Sequence, residues 1–373
     1  MRKVLFLKIV FSLLIFLPTL VQAKVTGPCS NCHTMHNSQN GLAMNFDNDT
    51  QPNELLLRAD CIGCHAQGGS SNVLDFSGCE VPQVMHTDST DLAAGNFAYI
   101  NGTKGSGASP TKGHNVVNLC FQDPTHTYPP GGPAKNAGAG IIHPDTLPAL
   151  FTCAGLYGCH GNTHIVDPVS SMQGAHHADS SNKPTGDTVG NSFRFLLGVE
   201  GLEVSDWENR SSAHHNEYKK DDLAPPRYSC DWCHGPDFPR HTNSGDVMPA
   251  GSGTAYLCMR CHSGFHSGNA GSPWFRHPSN VPIPNTGEYA LYTVYNVDAP
   301  VSRNVVPDSP SAVVTPWRTA QGTGYDFVTC VSCHKAHATD YPDLLRWDYT
   351  TISAGGGNSG DACFICHTSK DDS

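Results

Sequence analysis

A five-residue motif, Cys-x-x-Cys-His, occurs six times in this chain of 373 residues. The copies use twelve of the sixteen cysteines, and this composition predicts far fewer than one copy by chance. The copies form three doublets, whose histidines are 32, 28 and 33 residues apart. The motif histidines are His33, His65, His234, His262, His334 and His367. A chain organised around this motif is constrained by cysteine and histidine chemistry more than by its aliphatic residues.

The spacing of the motif predicts covalent attachment of haem. Successive residues of a helical turn are about 100° apart, so both sulfurs and the imidazole project from one face. The thiols can then form thioethers with the two haem vinyl groups while the histidine binds the iron, which is the signature of c-type haem. Zinc sites and disulfides are the alternatives, but neither explains a histidine directly after every second cysteine. The predicted thioether cysteines of the six copies are Cys29, Cys32, Cys61, Cys64, Cys230, Cys233, Cys258, Cys261, Cys330, Cys333, Cys363 and Cys366.

A variant of the motif adds a seventh candidate site. Five residues separate Cys153 from Cys159, and His160 follows directly. Both sulfurs can reach one macrocycle only if the intervening residues bulge outward, and two glycines among them permit such a bulge. The alternatives are a seventh haem, with His160 as its proximal ligand, and a Cys153–Cys159 disulfide. We adopt the first, which predicts seven copies of haem c.

The histidine content indicates a second imidazole on each iron. The chain has 21 histidines, so fourteen remain after the seven proximal ligands. Several follow a proximal histidine by three or four residues; these share its helical face and should bind a neighbouring haem. Others are isolated, or lie in the doublets 176–177 and 214–215, where we choose the second histidine as the distal candidate. The distal candidates are His36, His114, His164, His177, His215, His266, His277 and His337.

Two imidazoles leave an iron without an open position for substrate. The sequence therefore predicts an electron-transfer protein and not an enzyme. The 37 glycines and 27 prolines predict a mostly irregular chain with short helices and a few short strands. Segments 54–65 and 342–350 have helical character, and 289–297 alternates like a short strand. We expect haems to supply most of the apolar interior, so that residues 24–373 form a single elongated domain wrapped around a continuous haem stack.

The N-terminus predicts export. Residues 1–23 combine a basic start, an apolar run and a final alanine, as a signal peptide does; a lone membrane anchor is the alternative. Its removal takes three basic residues and no acidic one, so the formal net charge changes from −11 to −14. That balance argues against a nucleic-acid partner. No later segment is apolar for 18 residues, which predicts a mature chain without a transmembrane segment. Export also permits a disulfide between the two remaining cysteines, Cys79 and Cys120, with a free pair as the alternative.

Several segments resemble the extracellular multihaem c-type cytochromes of metal-reducing bacteria, which include a filament-forming hexahaem member. The segments are Cys29–Ser38, Gly113–Val117, Cys258–Pro278, Thr329–Ala338 and Leu344–Ala354. The resemblance implies identical subunits joined head to tail, with His36 donated to the haem of His334 in the neighbour. It also implies that His114, His266, His277 and His337 are distal ligands within the subunit. The sequence departs from the hexahaem pattern by the added motif at 230–234 and by the long gap after Cys153.

Three functions are consistent with these features. The first is conduction of electrons along a chain of bis-histidine haems in extracellular electron transfer. The protein would then be extracellular or on the outer cell surface, and it could assemble into a filament. Its redox partners would be other proteins or extracellular acceptors. The second is a soluble, monomeric periplasmic electron carrier. The third is a multihaem reductase of the nitrite type, which often has lysine in place of one proximal histidine; no Cys-x-x-Cys-Lys occurs here.

Overall fold

The structure is a computed structural model that describes residues 25, 27–46, 48–65, 91–116, 129–130, 151–179, 181–204, 209–221, 253–262, 277–317, 324–355 and 361–370. The predicted signal peptide, the cysteines Cys79 and Cys120, the motif from Cys230 to His234, and His266 lie outside these residues. No helix within them has the length and apolar character needed to cross a bilayer.

Regular structure in the described residues is confined to very short elements. The α-helices are α1 (Cys61–His65), α2 (Ala98–Asn101), α3 (Pro168–Ser171), α4 (Thr254–Met259) and α5 (Cys330–Cys333). The 3-10 turns are Cys29–Asn31, Glu54–Leu56, Pro110–Lys112, Ala175–His177, Phe193–Phe195, Gly287–Tyr289, Pro342–Leu344, Tyr349–Thr351 and Ala362–Ile365. The predicted irregular fold with short helices and strands is confirmed.

Both longer helical predictions were wrong. Segment 54–65 contains the turn Glu54–Leu56 and helix α1, separated by non-helical residues, and segment 342–350 breaks in the same way. The cause is local: Leu55 and Leu56 adopt positive φ angles of 54° and 55°, which no right-handed helix can contain. The predicted strand at 289–297 is also absent. There Val294 makes only an isolated bridge to Val313, and the alternating apolar residues instead place Tyr292 and Tyr295 in a buried cluster.

The strands form a hairpin and one five-stranded mixed sheet. The hairpin pairs β1 (Ser38–Gln39) with β2 (Leu42–Ala43). The sheet contains β3 (Gly201–Leu202), β4 (Glu217–Lys219), β5 (Val281–Pro282), β6 (Ser302–Arg303) and β7 (Asp326–Val328). Its order is β3-β4-β6-β7-β5, antiparallel except for β4 with β6. Since β7 ends two residues before Cys330 and β5 begins four residues after His277, the sheet positions two predicted haem-binding segments.

A buried charge network lies at the centre of this sheet. The Arg303 guanidinium donates from Nε to Glu217 Oε2 at 2.7 Å and from Nη1 to Asp326 Oδ2. It also donates to the carbonyls of Val313 and Ser311, both at 2.8 Å. Each charge in the sheet is therefore paired and hydrogen-bonded, as burial requires.

His215 belongs to this network. It is fully buried, and its ring lies 3.5 Å from the Tyr295 ring, centroid to centroid. Its Nε2 is 3.0 Å from Glu217 Oε1 and its Nδ1 is 3.2 Å from the Ser211 carbonyl. Because both ring nitrogens are engaged in hydrogen bonds, the structure does not support the prediction that His215 is a distal haem ligand.

The aliphatic core is divided into separate small clusters. One groups Phe97, Ile100 and Val116 with the partly buried Cys153. Another surrounds Tyr292 and Tyr295 and reaches Cys366. A third is formed by residues such as Phe193 and Tyr218. Two of the three clusters thus extend to cysteines of the predicted haem sites, as expected if large apolar groups fill the space between them.

Candidate haem-binding sites

The described Cys-x-x-Cys-His motifs begin on helical turns. In four of them the amide of the histidine donates to the carbonyl of the first cysteine, at 2.8 to 3.1 Å; these are the motifs of His33, His262, His334 and His367. In the second motif, helix α1 runs from Cys61 to His65 and gives the same one-sided arrangement. At the start of α5, Thr329 and Ser332 form a capping box that fixes where the helix begins.

The variant site reproduces this geometry despite its longer gap. The amides of Cys159 and His160 donate to the Cys153 carbonyl at 3.2 and 3.0 Å, as their counterparts do in the standard motifs. The five intervening residues form a bulge that turns at Gly155, where φ is +83°. Arg260, from the fourth standard motif, donates to carbonyls of the bulge at 3.1 and 3.2 Å. Cys153 and Cys159 are not joined by a disulfide.

Imidazoles of the described residues meet in five pairs, each combining a motif histidine with a distant one. The ring centroids are 6.0 to 6.2 Å apart in all five. The pairs are His33 with His177, His65 with His176, His160 with His337, His262 with His114, and His367 with His277. This constancy across five unrelated segments indicates a common requirement.

The spacing fits one iron between each pair. Imidazole nitrogens bind first-row metals at about 2.0 Å, so two rings on opposite sides of an iron have centres about 6.2 Å apart. The planes of the two rings can rotate about the axis between them, which accommodates the varied interplanar angles. Within the described residues no three His, Cys, Asp or Glu side chains converge as ligands of a bare metal ion. Paired imidazoles beside paired cysteines therefore fit haem and not the four-ligand arrangement of zinc.

Hydrogen bonds to backbone carbonyls orient several of these rings. A backbone carbonyl can only accept, so a ring whose Nδ1 contacts one carries its proton there and leaves Nε2 free for iron. The contacts measure 2.6 to 3.0 Å and join His33 to Leu55, His114 to Ala336, His160 to Arg194, His262 to Pro130, His277 to Pro278 and His334 to Asp343. Burial lowers the pKa of His65 and His114 to about 4 and that of His337 to about 3. These rings are neutral at pH 7, as iron ligation requires.

Three proximal histidines share a support that the sequence did not reveal. Each donates its Nδ1–H to the middle carbonyl of a short left-handed turn, and the residue after the histidine donates its amide to the next carbonyl of that turn. A left-handed conformation costs a non-glycine residue about 1–2 kcal/mol, yet none of the six residues is glycine. They are Leu55 and Leu56, Arg194 and Phe195, and Asp343 and Leu344. The only common sequence signal is a leucine after each turn, at 57, 196 and 345.

Thiols of successive sites are neighbours, which places six sites in one order. Burial raises the pKa of these thiols, and the charge of a nearby thiol in the adjoining site raises it further. The pairs, with the thiol whose pKa is raised given second, are Cys32 and Cys64, Cys61 and Cys153, Cys261 and Cys159, and Cys363 and Cys333. Cys258 is hydrogen-bonded to Cys330. The described sites therefore follow one another as those of His33, His65, His160, His262, His334 and His367.

Two distal candidates are held side by side. The His114 amide donates to the His337 carbonyl at 3.0 Å, and Gly113 bridges Ala338. A Cβ on Gly113 would lie 2.5 Å from the Cβ of Ala338 and 2.7 Å from the carbonyl of His337. Only glycine permits this approach.

We expect Gly113→Ala to separate these two segments and weaken distal ligation at the sites of His262 and His160. Its visible and electron paramagnetic resonance spectra should show a high-spin fraction that the unsubstituted protein lacks. Gly324→Ala is the control, because nothing lies within 4 Å of a Cβ there. Equal, fully low-spin spectra for both variants would contradict the expected role.

The remaining site predictions have different outcomes. His36 is exposed, and neither it nor His334 faces another imidazole among the described residues. His164 lies on the surface. His176, the unselected member of its doublet, pairs with His65. A one-turn segment at 175–177 allows both members of that doublet to serve different sites, which sequence spacing alone could not show.

Comparison with known proteins also indicates a c-type cytochrome. Residues 325–372 match the family model of the doubled CXXCH motif. The chain is 26% identical over 382 residues to the C-type cytochrome OmcS of Geobacter sulfurreducens, covering 89% of this chain and 82% of OmcS. The chain is similar to multihaem c-type cytochromes.

Comparison with solved structures finds two structures of that cytochrome. One is the Outer Membrane Cytochrome S filament from Geobacter sulfurreducens, with a TM-score of 0.44 and 17% identity over 94% of this chain and 93% of that chain. The other is a cryo-EM structure of the OmcS nanowires, with a TM-score of 0.45, 18% identity and the same coverage.

Proposed function

We propose that the mature chain conducts electrons along a row of seven haem c groups, each held by two histidines. The observation that carries this proposal is the set of five imidazole pairs at the spacing of a shared iron. Haem iron supplies the chemistry by accepting and releasing one electron. The chain supplies the paired ligands, their orientation and their neutral state. With both axial positions filled by protein, the sites favour electron transfer over reaction with substrate.

The order of the sites supports conduction. Neighbouring thiols connect the six described sites in sequence, without a branch. An electron entering near His33 would thus have a succession of adjacent sites as far as His367. The seventh proposed site, at Cys230, Cys233 and His234, has the same motif.

Two features of the described residues support head-to-tail assembly. His334 directs Nδ1 to the Asp343 carbonyl and has no imidazole opposite it among the described residues. His36 is exposed on the N-terminal segment, beside exposed Met35 and Leu42, which are 81% and 70% accessible. Among the described residues, an exposed histidine that pairs with no other imidazole and a proposed iron site with no second histidine are complementary. Donation of His36 to the His334 site of the next subunit would repeat as an open, heterologous contact and produce a filament.

Export by the predicted signal peptide and the similarity to OmcS support a place outside the cell or on its outer surface. Redox proteins or extracellular acceptors would receive the electrons. The monomeric periplasmic carrier is the competing function, and assembly state separates the two.

The haem count tests the proposal directly. We expect the intact mass of the mature chain, made in a host with the cytochrome c maturation system, to exceed the polypeptide mass by seven haems. The double variant Cys153→Ala, Cys159→Ala should carry one fewer, as should its control Cys363→Ala, Cys366→Ala. An unchanged count in the first variant would show that the variant site is empty, and a colourless protein would refute the whole proposal.

A further inference from the structure

The proximal histidines differ in the group that accepts their Nδ1 proton. Carbonyl oxygens accept it at His33, His160, His262 and His334. At His367, the last of the six described sites, the partner is a carboxylate: Glu288 Oε1 lies 3.2 Å from Nδ1. A carboxylate places a full negative charge beside the imidazole and makes the ring a stronger electron donor to a metal.

Glu288 is tied to the ligand segment through its backbone as well. Its carbonyl accepts from the amide and the hydroxyl of Thr368, the residue after the histidine, both at 2.6 Å. The ring of Tyr289 lies 5.0 Å from that of His367, centroid to centroid. These contacts hold the acid beside the imidazole, so the pairing does not depend on a freely rotating side chain.

The second oxygen of the carboxylate faces a cation. Lys370 Nζ lies 3.3 Å from Glu288 Oε2, and the lysine side chain is 59% exposed. An exposed ammonium is well screened by solvent, so it offsets only part of the negative charge that reaches the imidazole.

We propose that Glu288 is a positioning residue that lowers the reduction potential of the haem at His367, so that this haem is the last of the row to be reduced. The inference rests on the proposed haem attachment at His367. Greater donation from the imidazole stabilises ferric iron relative to ferrous iron. The row then has a direction: an electron placed on the His367 haem moves towards the sites whose histidines face carbonyls.

Redox titration of the assembled holoprotein tests this. In Glu288→Gln the amide can still accept the hydrogen bond, but the charge is gone. We expect the reduction step at the low-potential end, with the amplitude of one haem, to move upward by at least tenfold in its equilibrium constant, about 59 mV for one electron. Glu288→Asp, which keeps the charge, should restore a low potential.

Two further variants make the result decisive. Lys370→Gln removes the compensating cation and should shift the same step downward, by less than tenfold. Glu54→Gln is the matched control, since Glu54 is an exposed acid beside the His33 site, where the Leu55 carbonyl accepts the proton.

Intact mass is measured on every variant. If all haems are retained and both Glu288→Gln and Lys370→Gln titrate like the unsubstituted protein, the role of Glu288 is overturned while the proposed function stands. If Glu288→Gln loses a haem, the redox titration of Lys370→Gln tests the inference instead. The absence of a downward shift in that variant overturns the inference. A haem missing at His367 in the unsubstituted protein would instead refute the proposed function at that site.

Discussion

Replacing His36 by alanine is expected to abolish filaments while leaving every covalent haem in place. Each subunit contact would lose the bond between the donated imidazole and the iron at His334. One haem per subunit would then lack its distal ligand, because no other imidazole of the described residues faces His334. Electron microscopy and light scattering should show monomers, and the optical spectrum should gain a high-spin component equivalent to one haem.

Free imidazole separates ligation from assembly in this variant. Added in excess, it should fill the vacant position and remove the high-spin signal without restoring filaments. Gln39→Ala is the matched control, since Gln39 is exposed on the hairpin that follows His36 and cannot bind iron. Filaments of normal length from the His36→Ala protein would show that the subunits join in another way and would favour the view that His36 is a surface residue.

Arg303→Met should destabilise the fold by about 3–5 kcal/mol, the usual cost of removing one partner from a buried ion pair. The substitution keeps the volume but leaves Glu217, which is fully buried, and Asp326, which is nearly so, without their cation. Burial already raises the pKa of Asp326 to about 6, with Arg303 opposing the rise. Loss of the arginine leaves the negative charges of Glu217, on β4, and Asp326, on β7, to repel each other.

Equilibrium unfolding in urea, followed by near-ultraviolet circular dichroism, measures this effect. The control is Lys183→Met, which breaks an ion pair of 2.7 Å with Asp308 at the surface. Exposed pairs contribute about 0–1 kcal/mol, so the control should unfold almost as the unsubstituted protein does. Similar losses in the two variants would show that the network does not hold the sheet together.

The haem-attachment sites could be predicted from sequence because their chemistry is local. Two sulfurs and an imidazole must emerge from one helical turn, so a spacing of a few residues is sufficient to identify the site. The variant site shows the point at which motif spacing stops being sufficient. The spacing left a haem and a disulfide as alternatives, and the carbonyl of Cys153, which accepts the same amides as in the standard motifs, favours the haem.

The imidazole pairs were harder to predict, since their members lie far apart in the chain. His114 lies opposite His262, and His337 lies opposite His160. Composition showed that enough histidines were present, but not which ones would meet. His215 fitted the sequence pattern and is instead hydrogen-bonded through both nitrogens inside the sheet, because a buried glutamate and arginine lie beside it.

The sequence by itself determined the cofactor class and the irregular character of the chain, and it predicted the proximal histidines, since these depend on neighbouring residues and on composition. Tertiary structure decided the pairing of the imidazoles, the order of the sites and the left-handed turns that support three proximal histidines. Those features depend on contacts between residues distant in sequence. The strained conformations of Leu55, Arg194 and Asp343 persist because the surrounding hydrogen bonds fix them, and no local sequence preference would select them.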